Sequence, residues 1–337
     1  MTIQHSVRTG FQFVRFLKDW TLIISLALGF IGFYLFKYLD FLASLKHPAV
    51  VVSHGIMPVL IFIMLLFTFS KVNLKQYCFK VWYIYVILVQ LALIIGLCLL
   101  VTRFSGWDGR YALEGAMICL FAPTATAAAV IVKKLGGNVP TITTYTLIAG
   151  FVTALIVPVM LPLLPASDLH MDASFTFWKL FAILLGKVCP LLVAPFLLTL
   201  LLRWVAPSVN TFIAVKSKDS AFYIWGFSLV INVAQMMYAI DHCHIDAYHV
   251  VMIALAGLAA CLLQFGIGRA VGRFCHDTVS CGQGMGQKNT IISIWIALTF
   301  MNPITAVGPG SYMIWQNIIN SMQIIKKGRR DNNPDEK

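Results

Sequence analysis

The sequence predicts an all-α protein that crosses a membrane many times. Hydrophobic residues make up 59% of its 337 residues and charged residues only 11%, which is more apolar surface than one soluble core can bury. Apolar windows of about 20 residues, the length that crosses a bilayer, recur along almost the whole chain. The basic residues also gather in alternate loops, and this bias predicts the orientation of the chain in the membrane.

Ten segments carry this apolar pattern, and we number them as spans one to ten. They cover residues 20–39, 49–69, 81–102, 112–132, 139–164, 177–204, 220–240, 247–268, 278–300 and 303–325. With the N-terminus inside the cell, most lysines and arginines fall in inner loops, whereas the acidic segments ASDLHMDAS and IDHCHIDAYH fall outside. We therefore expect two cytoplasmic ends, an uncleaved segment 1–19 and a tail 326–337.

The remaining composition excludes several classes of function. The net charge of +12 is spread over loops and needs no nucleic-acid partner. The eight cysteines form no CxxC pair and suit small buried apolar positions. The outer segment DHCHIDAYH resembles a metal site in composition only, and GQGMG lacks the βαβ context of a dinucleotide loop. We therefore expect no metal, no cofactor and no enzymatic activity.

Ten spans divide into two repeats of five, residues 20–164 and 165–325. Because five is odd, the second repeat enters the membrane from the opposite side, which defines an inverted repeat. The fourth span of each half is unusual, since Pro123 interrupts span four and Gly282, Gly284 and Gly286 lie at similar depth in span nine. We expect both spans to unwind there.

Unwound backbone at membrane depth persists only where it is buried in protein or lines a watery cavity. Two broken spans that cross would direct their dipole ends and free carbonyls at one point, as in the ion and substrate sites of many secondary transporters. The alternative is a proline kink together with glycine packing, which is common in membrane bundles.

Three stretches of this chain resemble a known family. FAPTATAAAVIVKKLGGNVPTITTYTLIAGFVTALIVPVMLPLL, GMGQKNT and GSYMIWQNIINS are similar, in order and spacing, to the fourth and fifth, ninth and tenth helices of the bile acid:sodium symporter family. The resemblance implies a panel domain, 20–69 and 177–240, and a core domain, 81–164 and 247–325. It further implies a substrate crevice between them, alternating access by their relative movement, and a bacterial inner membrane as the location.

The resemblance also assigns roles to individual residues. Gln90 and Thr146 match a glutamine and a threonine that serve the two sodium ions of the family, and Asn317 matches an asparagine that lines the crevice. Other family ligands are absent, because Ala128 and Ala129 occupy the positions of a serine and an asparagine. The two sodium sites are therefore expected to be degenerate.

The ninth span departs further from the family pattern. Gly284 stands where the family has a sodium-binding glutamate, and Lys288 stands where it has a glutamine. An ammonium would repel a cation 4 Å away by about 4 kcal/mol at an effective dielectric near 20. We therefore interpret Lys288 as a replacement for sodium, either as a permanent counter-charge for an anionic substrate or as a proton carrier.

Lys288 needs polar surroundings at this depth, because a lysine at a helix centre costs about 2.5 to 3.5 kcal/mol. The polar residues expected around it are Gln90, Thr124, Thr126, Gln287 and Asn289. The alternative is a lysine that extends into an aqueous cavity and couples nothing. Elsewhere, Asn232, Gln235 and Gln264 suit either helix–helix hydrogen bonds or a pathway. Lys187, beside Pro190, suits either the lining of a cavity or, if span six is shifted, a cytoplasmic or interfacial position.

These observations predict a secondary active transporter of a small organic anion, such as a carboxylate or sulfonate, with altered or absent sodium coupling. Its expected partners are that anion and the lipid bilayer, and coupling to protons is an open possibility. The alternative is a membrane regulator or scaffold that keeps the symporter fold and transports nothing. The sequence leaves the oligomeric state open, because it contains no coiled-coil or soluble association segment.

Overall fold

A computed structural model describes residues 21, 23–39, 43–71, 78–165, 169, 176–243 and 246–332. These ranges are mostly helical and contain no β-strand, so the all-α prediction is confirmed for them. The helices are α1 (Ile23–Tyr38), α2 (Ala43–Lys71), α3 (Trp82–Arg103), α4 (Arg110–Phe121), α5 (Ala128–Lys134), α6 (Val139–Met160), α7 (Phe177–Val205), α8 (Pro207–His242), α9 (Ala247–Phe274), α10 (Thr278–Gly286), α11 (Thr290–Phe300) and α12 (Val307–Asn332). The predicted segment 1–19 and residues 333–337 of the predicted tail lie outside the described residues.

Within the described ranges, six helical segments are long and apolar enough to cross a membrane. They are Pro48–Lys71, Trp82–Arg103, Val139–Leu163, Phe177–Val205, Tyr223–His242 and Ala247–Phe274. Large hydrophobic side chains also cover the outer surface, for example Val51, Leu88 and Leu197, each more than half exposed. Such a surface suits hydrocarbon rather than water. The protein is therefore a multi-pass integral membrane protein.

Several helices extend beyond the predicted spans, and α8 and α12 do so furthest. The predicted inner loop before span seven is helical. Helix α8 begins at Pro207, a residue favoured in the first turn of a helix, and no glycine or further proline follows until Gly226. At the other end of the chain, α12 continues to Asn332, so the described part of the predicted tail is helical as well.

Span four is interrupted between α4 and α5. Ala122, which precedes Pro123, is extended with φ −60° and ψ 137°, as expected for a residue before proline. Span nine is interrupted between α10 and α11, where Gln287 and Asn289 leave the helical region with ψ 92° and 82°.

The prediction that Gly282 and Gly284 break span nine is wrong. Both residues lie inside α10, which ends only at Gly286. These glycines allow close packing instead. A Cβ at Gly282 would lie 2.9 Å from Cγ of Arg269, and a Cβ at Gly286 would overlap the ring of Phe265. Both contacts are with α9, so small residues are needed here for close approach of two helices rather than for unwinding.

The two interruptions pair with each other. Thr124 and Lys288 form an isolated antiparallel bridge. The backbone N–H of Ala125 donates to the Gln287 carbonyl at 2.7 Å, and that of Asn289 donates to the carbonyl of Pro123 at 2.9 Å. Thr124 and Lys288 are each 2% exposed. The unwound backbone therefore satisfies its polar groups inside the protein, as the membrane interior requires.

Helix contacts place these interruptions in a definite setting. Helix α9 packs against α4, α10 and α12, whereas α2 packs against α7 and α8. Helix α6 contacts α7 and thereby joins the two sets. The number of membrane crossings, the inverted repeat and the division into panel and core stay predictions.

Candidate functional site

The side chain of Lys288 is buried between the two interruptions and α3. Its ammonium donates a hydrogen bond to Oε1 of Gln90 at 3.0 Å. The Gln90 Nε2 in turn donates to the backbone carbonyl of Leu120 in α4 at 2.5 Å. Gln90 therefore connects the ammonium to the end of a broken helix.

Side chains also donate hydrogen bonds to the carbonyls at the ends of the broken helices, which have no partner within their own helix. The Thr124 hydroxyl donates to the Gly284 carbonyl at 2.6 Å, and the Tyr312 hydroxyl donates to that of Gly286 at 2.7 Å. Thr153 of α6 donates to the last carbonyl of α4 at 3.0 Å. Helices from both halves of the chain thus hold the two interruptions in place.

The electrostatic surroundings of Lys288 consist of partial charges. Among the described residues, no carboxylate forms an ion pair with its ammonium. Instead, α4 and α10 both end beside it, and the C-terminus of a helix carries about half a negative charge. The Gln90 oxygen adds a further partial negative charge. This arrangement favours the protonated form of the Lys288 side chain over the neutral form.

Gln316 of α12 fixes the backbone at Lys288. The Lys288 N–H donates to Oε1 of Gln316 at 3.0 Å, and the Gln316 Nε2 donates to the Lys288 carbonyl at 3.2 Å. The Lys288 carbonyl also accepts from the backbone N–H of Thr290 at 3.0 Å, so it keeps a partner without Gln316. Gln316 therefore contacts both backbone groups of Lys288 and is the hydrogen-bond partner of its N–H.

The sequence reasoning missed Gln316 and selected its neighbour Asn317. Asn317 donates to the Met313 carbonyl of its own helix at 2.7 Å. The signal for Gln316 was a polar stripe on an apolar helix, because Tyr312, Gln316 and Asn320 follow one another at four-residue spacing and share one face. All three contact the second interruption, and Asn320 does so by donating to Oε1 of Gln287.

A cavity of 630 Å³ opens next to this polar centre. It lies between α2 and α8 on one side and α5, α6, α12 and the two interruptions on the other. Six predicted site residues line it, namely Thr126, Thr146, Gln287, Lys288, Asn289 and Asn317. Gln90 and Thr124 do not line it. Gln90 accepts the hydrogen bond of the Lys288 ammonium, and Thr124 donates to a carbonyl in the last turn of α10. The cavity extends to Lys71, the last residue of α2.

Replacement of Gln316 by leucine is expected to lower the free energy of unfolding by about 2 kcal/mol, because the buried N–H of Lys288 loses its partner. Asn317→Leu is the matched control one position further along α12, where the side chain bonds only to its own helix. Thermal unfolding in detergent measures both variants. Equal destabilisation by the two would contradict the role of Gln316 as a clamp on Lys288.

Fold and site together define a class, that of helical membrane proteins in which two interrupted helices meet around a buried lysine at the wall of a cavity. No protein-family model matches the chain, and no curated protein matches it. The resemblance to the bile acid:sodium symporters therefore rests on the three sequence stretches alone and enters only the proposal below.

Proposed function

We propose that this protein is a secondary active transporter of a small organic anion that works by alternating access. The observation that carries the proposal is the pairing of two interrupted helices through Thr124 and Lys288 on the wall of the 630 Å³ cavity, which we call the inner cavity. Secondary transporters commonly build their substrate sites from such broken helices. A purely structural bundle has no use for a buried ammonium that costs several kcal/mol.

The inner cavity suits an anion with an apolar body. Its volume lies within the range of about 300 to 1,000 Å³ typical of small-molecule sites. Met64, Phe69 and Trp225 provide apolar walls. Asn289 and Thr290, at the N-terminus of α11, line the same cavity, and the partial positive charge of that helix end favours an anion. A carboxylate or sulfonate that bears hydrocarbon matches both surfaces.

Coupling follows from the position of the ammonium. Lys288 donates to Gln90, the residue that the family resemblance assigns to the second sodium ion. Ala128 and Ala129 offer only methyl groups where the family has sodium ligands. In our proposal, Lys288 therefore takes the place of sodium as a cation built into the chain. It acts either as a permanent counter-charge for the anion or as a proton carrier.

The proposed architecture is that of two inverted five-helix repeats within ten crossings. Helices α2, α7 and α8 contact one another and would form the panel with α1, whereas α3 to α6 and α9 to α12 would form the core. The inner cavity lies between the two sets and reaches Lys71, on the side that the basic loops assign to the cytoplasm. The described arrangement would then be the inward-facing state, in a bacterial inner membrane.

Uptake by purified protein in proteoliposomes tests the function. Labelled carboxylates and sulfonates are offered under an imposed proton gradient, sodium gradient or membrane potential. We expect uptake of at least one anion that responds to the proton gradient or the potential and is unchanged by sodium. Uptake that requires sodium would contradict the role of Lys288. If none of the tested anions is taken up and none stabilises the protein against heat, the result would favour a regulator or scaffold.

A further inference from the structure

A second cavity lies on the opposite side of the molecule from Lys71. It measures 930 Å³ and is enclosed by α1, α2, α7, α8 and α11. Helices α2 and α8 line both cavities with different residues. Leu65 and Trp225 face the inner cavity, whereas Pro58 and Gln235 face this outer cavity. The two cavities are therefore displaced from each other along the same helices.

Lys187 is the notable charge of the outer cavity. It is the eleventh residue of the 29-residue helix α7, which places it about 15 Å along the helix axis at 1.5 Å per residue. Among the described residues, no carboxylate forms an ion pair with it. Its ammonium lies 5.6 Å from the centroid of the Phe300 ring. A lysine at such depth faces a cavity and commonly marks a substrate path.

The other charges of the outer cavity largely compensate each other. Lys37 donates to Asp241 at 2.5 Å, and His242 lies 3.9 Å from the same carboxylate. Lys187 therefore leaves the cavity with an excess of positive charge. The rest of the lining combines aromatic faces, such as Trp295, with polar groups. Such a surface complements an anion that carries an apolar ring or chain.

A buried barrier separates the two cavities. On α8, Leu229 lies between Trp225, which lines the inner cavity, and Val230, which lines the outer cavity. On α11, Ser293 lies between Ile291 and Trp295 in the same way. Asn232 lies among the residues of α8 that line the outer cavity but does not line that cavity itself. Leu229, Ser293 and Asn232 are fully buried. The polar side-chain atoms of Asn232 and Ser293 have no hydrogen-bond partner among the described residues. Burying a polar group without a partner is unfavourable, so both side chains would gain hydrogen bonds from a passage that opens beside them.

We propose that the outer cavity is a second binding site for organic anions, in which the Lys187 ammonium pairs with a carboxylate or sulfonate and Trp295 packs against the apolar body. Binding at this site does not require transport. Its use as the outer half of the substrate path rests on the proposed function, in which Ser293, between the two cavities, and Asn232, beside the outer cavity, contact the passing anion. Lys288 and Lys187 then serve the same ligand class on opposite sides of the barrier.

Calorimetric titration of the full chain in detergent tests the outer site, with naphthalene-2-sulfonate as probe and the uncharged naphthalene-2-sulfonamide as control. We expect two sulfonate sites in the wild-type protein. Lys187→Gln should weaken one of them at least tenfold and leave the other, which Lys288→Gln weakens, unchanged. Lys187→Arg keeps the charge and should retain both sites. The sulfonamide should not distinguish Lys187→Gln from the wild type.

Several results would overturn the outer site. They are a single sulfonate site that depends on Lys288 alone, equal affinities in Lys187→Gln and wild-type protein, and no binding of the probe to the wild-type protein. Failure of transport is a separate result. Sulfonate binding that depends on Lys187 in a protein without uptake would uphold the site and reject the transporter. Uptake with an unchanged KM in Lys187→Gln would reject the site and retain the transporter.

Discussion

Replacement of Lys288 by glutamine is expected to weaken the binding of an organic carboxylate or sulfonate in the inner cavity about 30-fold. A charge about 8 Å from the bound anion contributes ~2 kcal/mol at an effective dielectric near 20, which corresponds to this factor. Glutamine still offers a donor to Gln90 and leaves the backbone bonds to Gln316 intact, so the fold keeps its supports. Calorimetry on the purified variant measures the change.

Two further variants identify the role of the charge. Lys288→Arg keeps a positive charge and should lose less affinity than Lys288→Gln, although the larger guanidinium has to fit a fully buried position. Lys288→Ala removes the charge together with the hydrogen bond to Gln90 and should abolish coupled uptake. Sodium-driven uptake that survives in Lys288→Ala protein would contradict the proposal that the lysine replaces sodium.

The fold class could be predicted because a bilayer permits few solutions. A chain with 59% hydrophobic residues in repeated windows has to satisfy its backbone within helices, and the described residues do so. Pro123 could also be read correctly, since proline has no N–H and constrains the residue before it, whatever surrounds it. These features depend on local chemistry, which the sequence contains in full.

Span nine shows where such reasoning stops. A glycine weakens a helix and also permits close approach, and the sequence does not distinguish the two effects. Gly282 and Gly284 serve close approach, while the interruption falls at Gln287 to Asn289, where the backbone finds partners in the other broken helix. The pairing of Thr124 with Lys288 joins residues 164 positions apart in the chain, so no local pattern reports it.

The same limit applies to the site. Five polar residues were predicted around Lys288, and one of them, Gln90, receives the hydrogen bond of the ammonium. Gln316 was missed because the resemblance directed attention to Asn317, although helical spacing relates Gln316 to Tyr312 and Asn320. Helical periodicity identifies a polar face, but which atoms that face binds depends on the packing of α12 against the interruption.

Packing of α4, α9 and α12 depends on three glycines that bring backbones into direct contact. A Cβ at Gly308 of α12 would lie 2.5 Å from the carbonyl oxygen and 2.7 Å from Cα of Gly115 in α4. A Cβ at Gly257 of α9 would overlap the carbonyl oxygen of Gly308. Since the opposing atoms are backbone, they cannot move aside as a flexible side chain can.

Gly257→Ala is therefore expected to lower the free energy of unfolding by about 3 kcal/mol, the upper end of the usual cost of overpacking. Gly266→Ala is the matched control nine residues further along α9, where an added Cβ meets nothing within 4 Å. Alanine there should be neutral or stabilise by up to about 1 kcal/mol, because it favours the helix. Thermal unfolding in detergent measures both, and equal effects would contradict the close packing.

A displaced α12 also has a consequence for the site. Tyr312 and Gln316 reach the second interruption from the same helix that Gly257 contacts at Gly308. A shift of a few tenths of an ångström at Gly308 is carried along a rigid helix, so it lengthens the bonds that hold Lys288 beside the inner cavity. Gly257→Ala protein should accordingly bind organic anions more weakly at temperatures where it is still folded, whereas Gly266→Ala protein should bind them as the wild type does. Unchanged anion affinity in a destabilised Gly257→Ala protein would show that the packing of these helices and the position of the charge are independent.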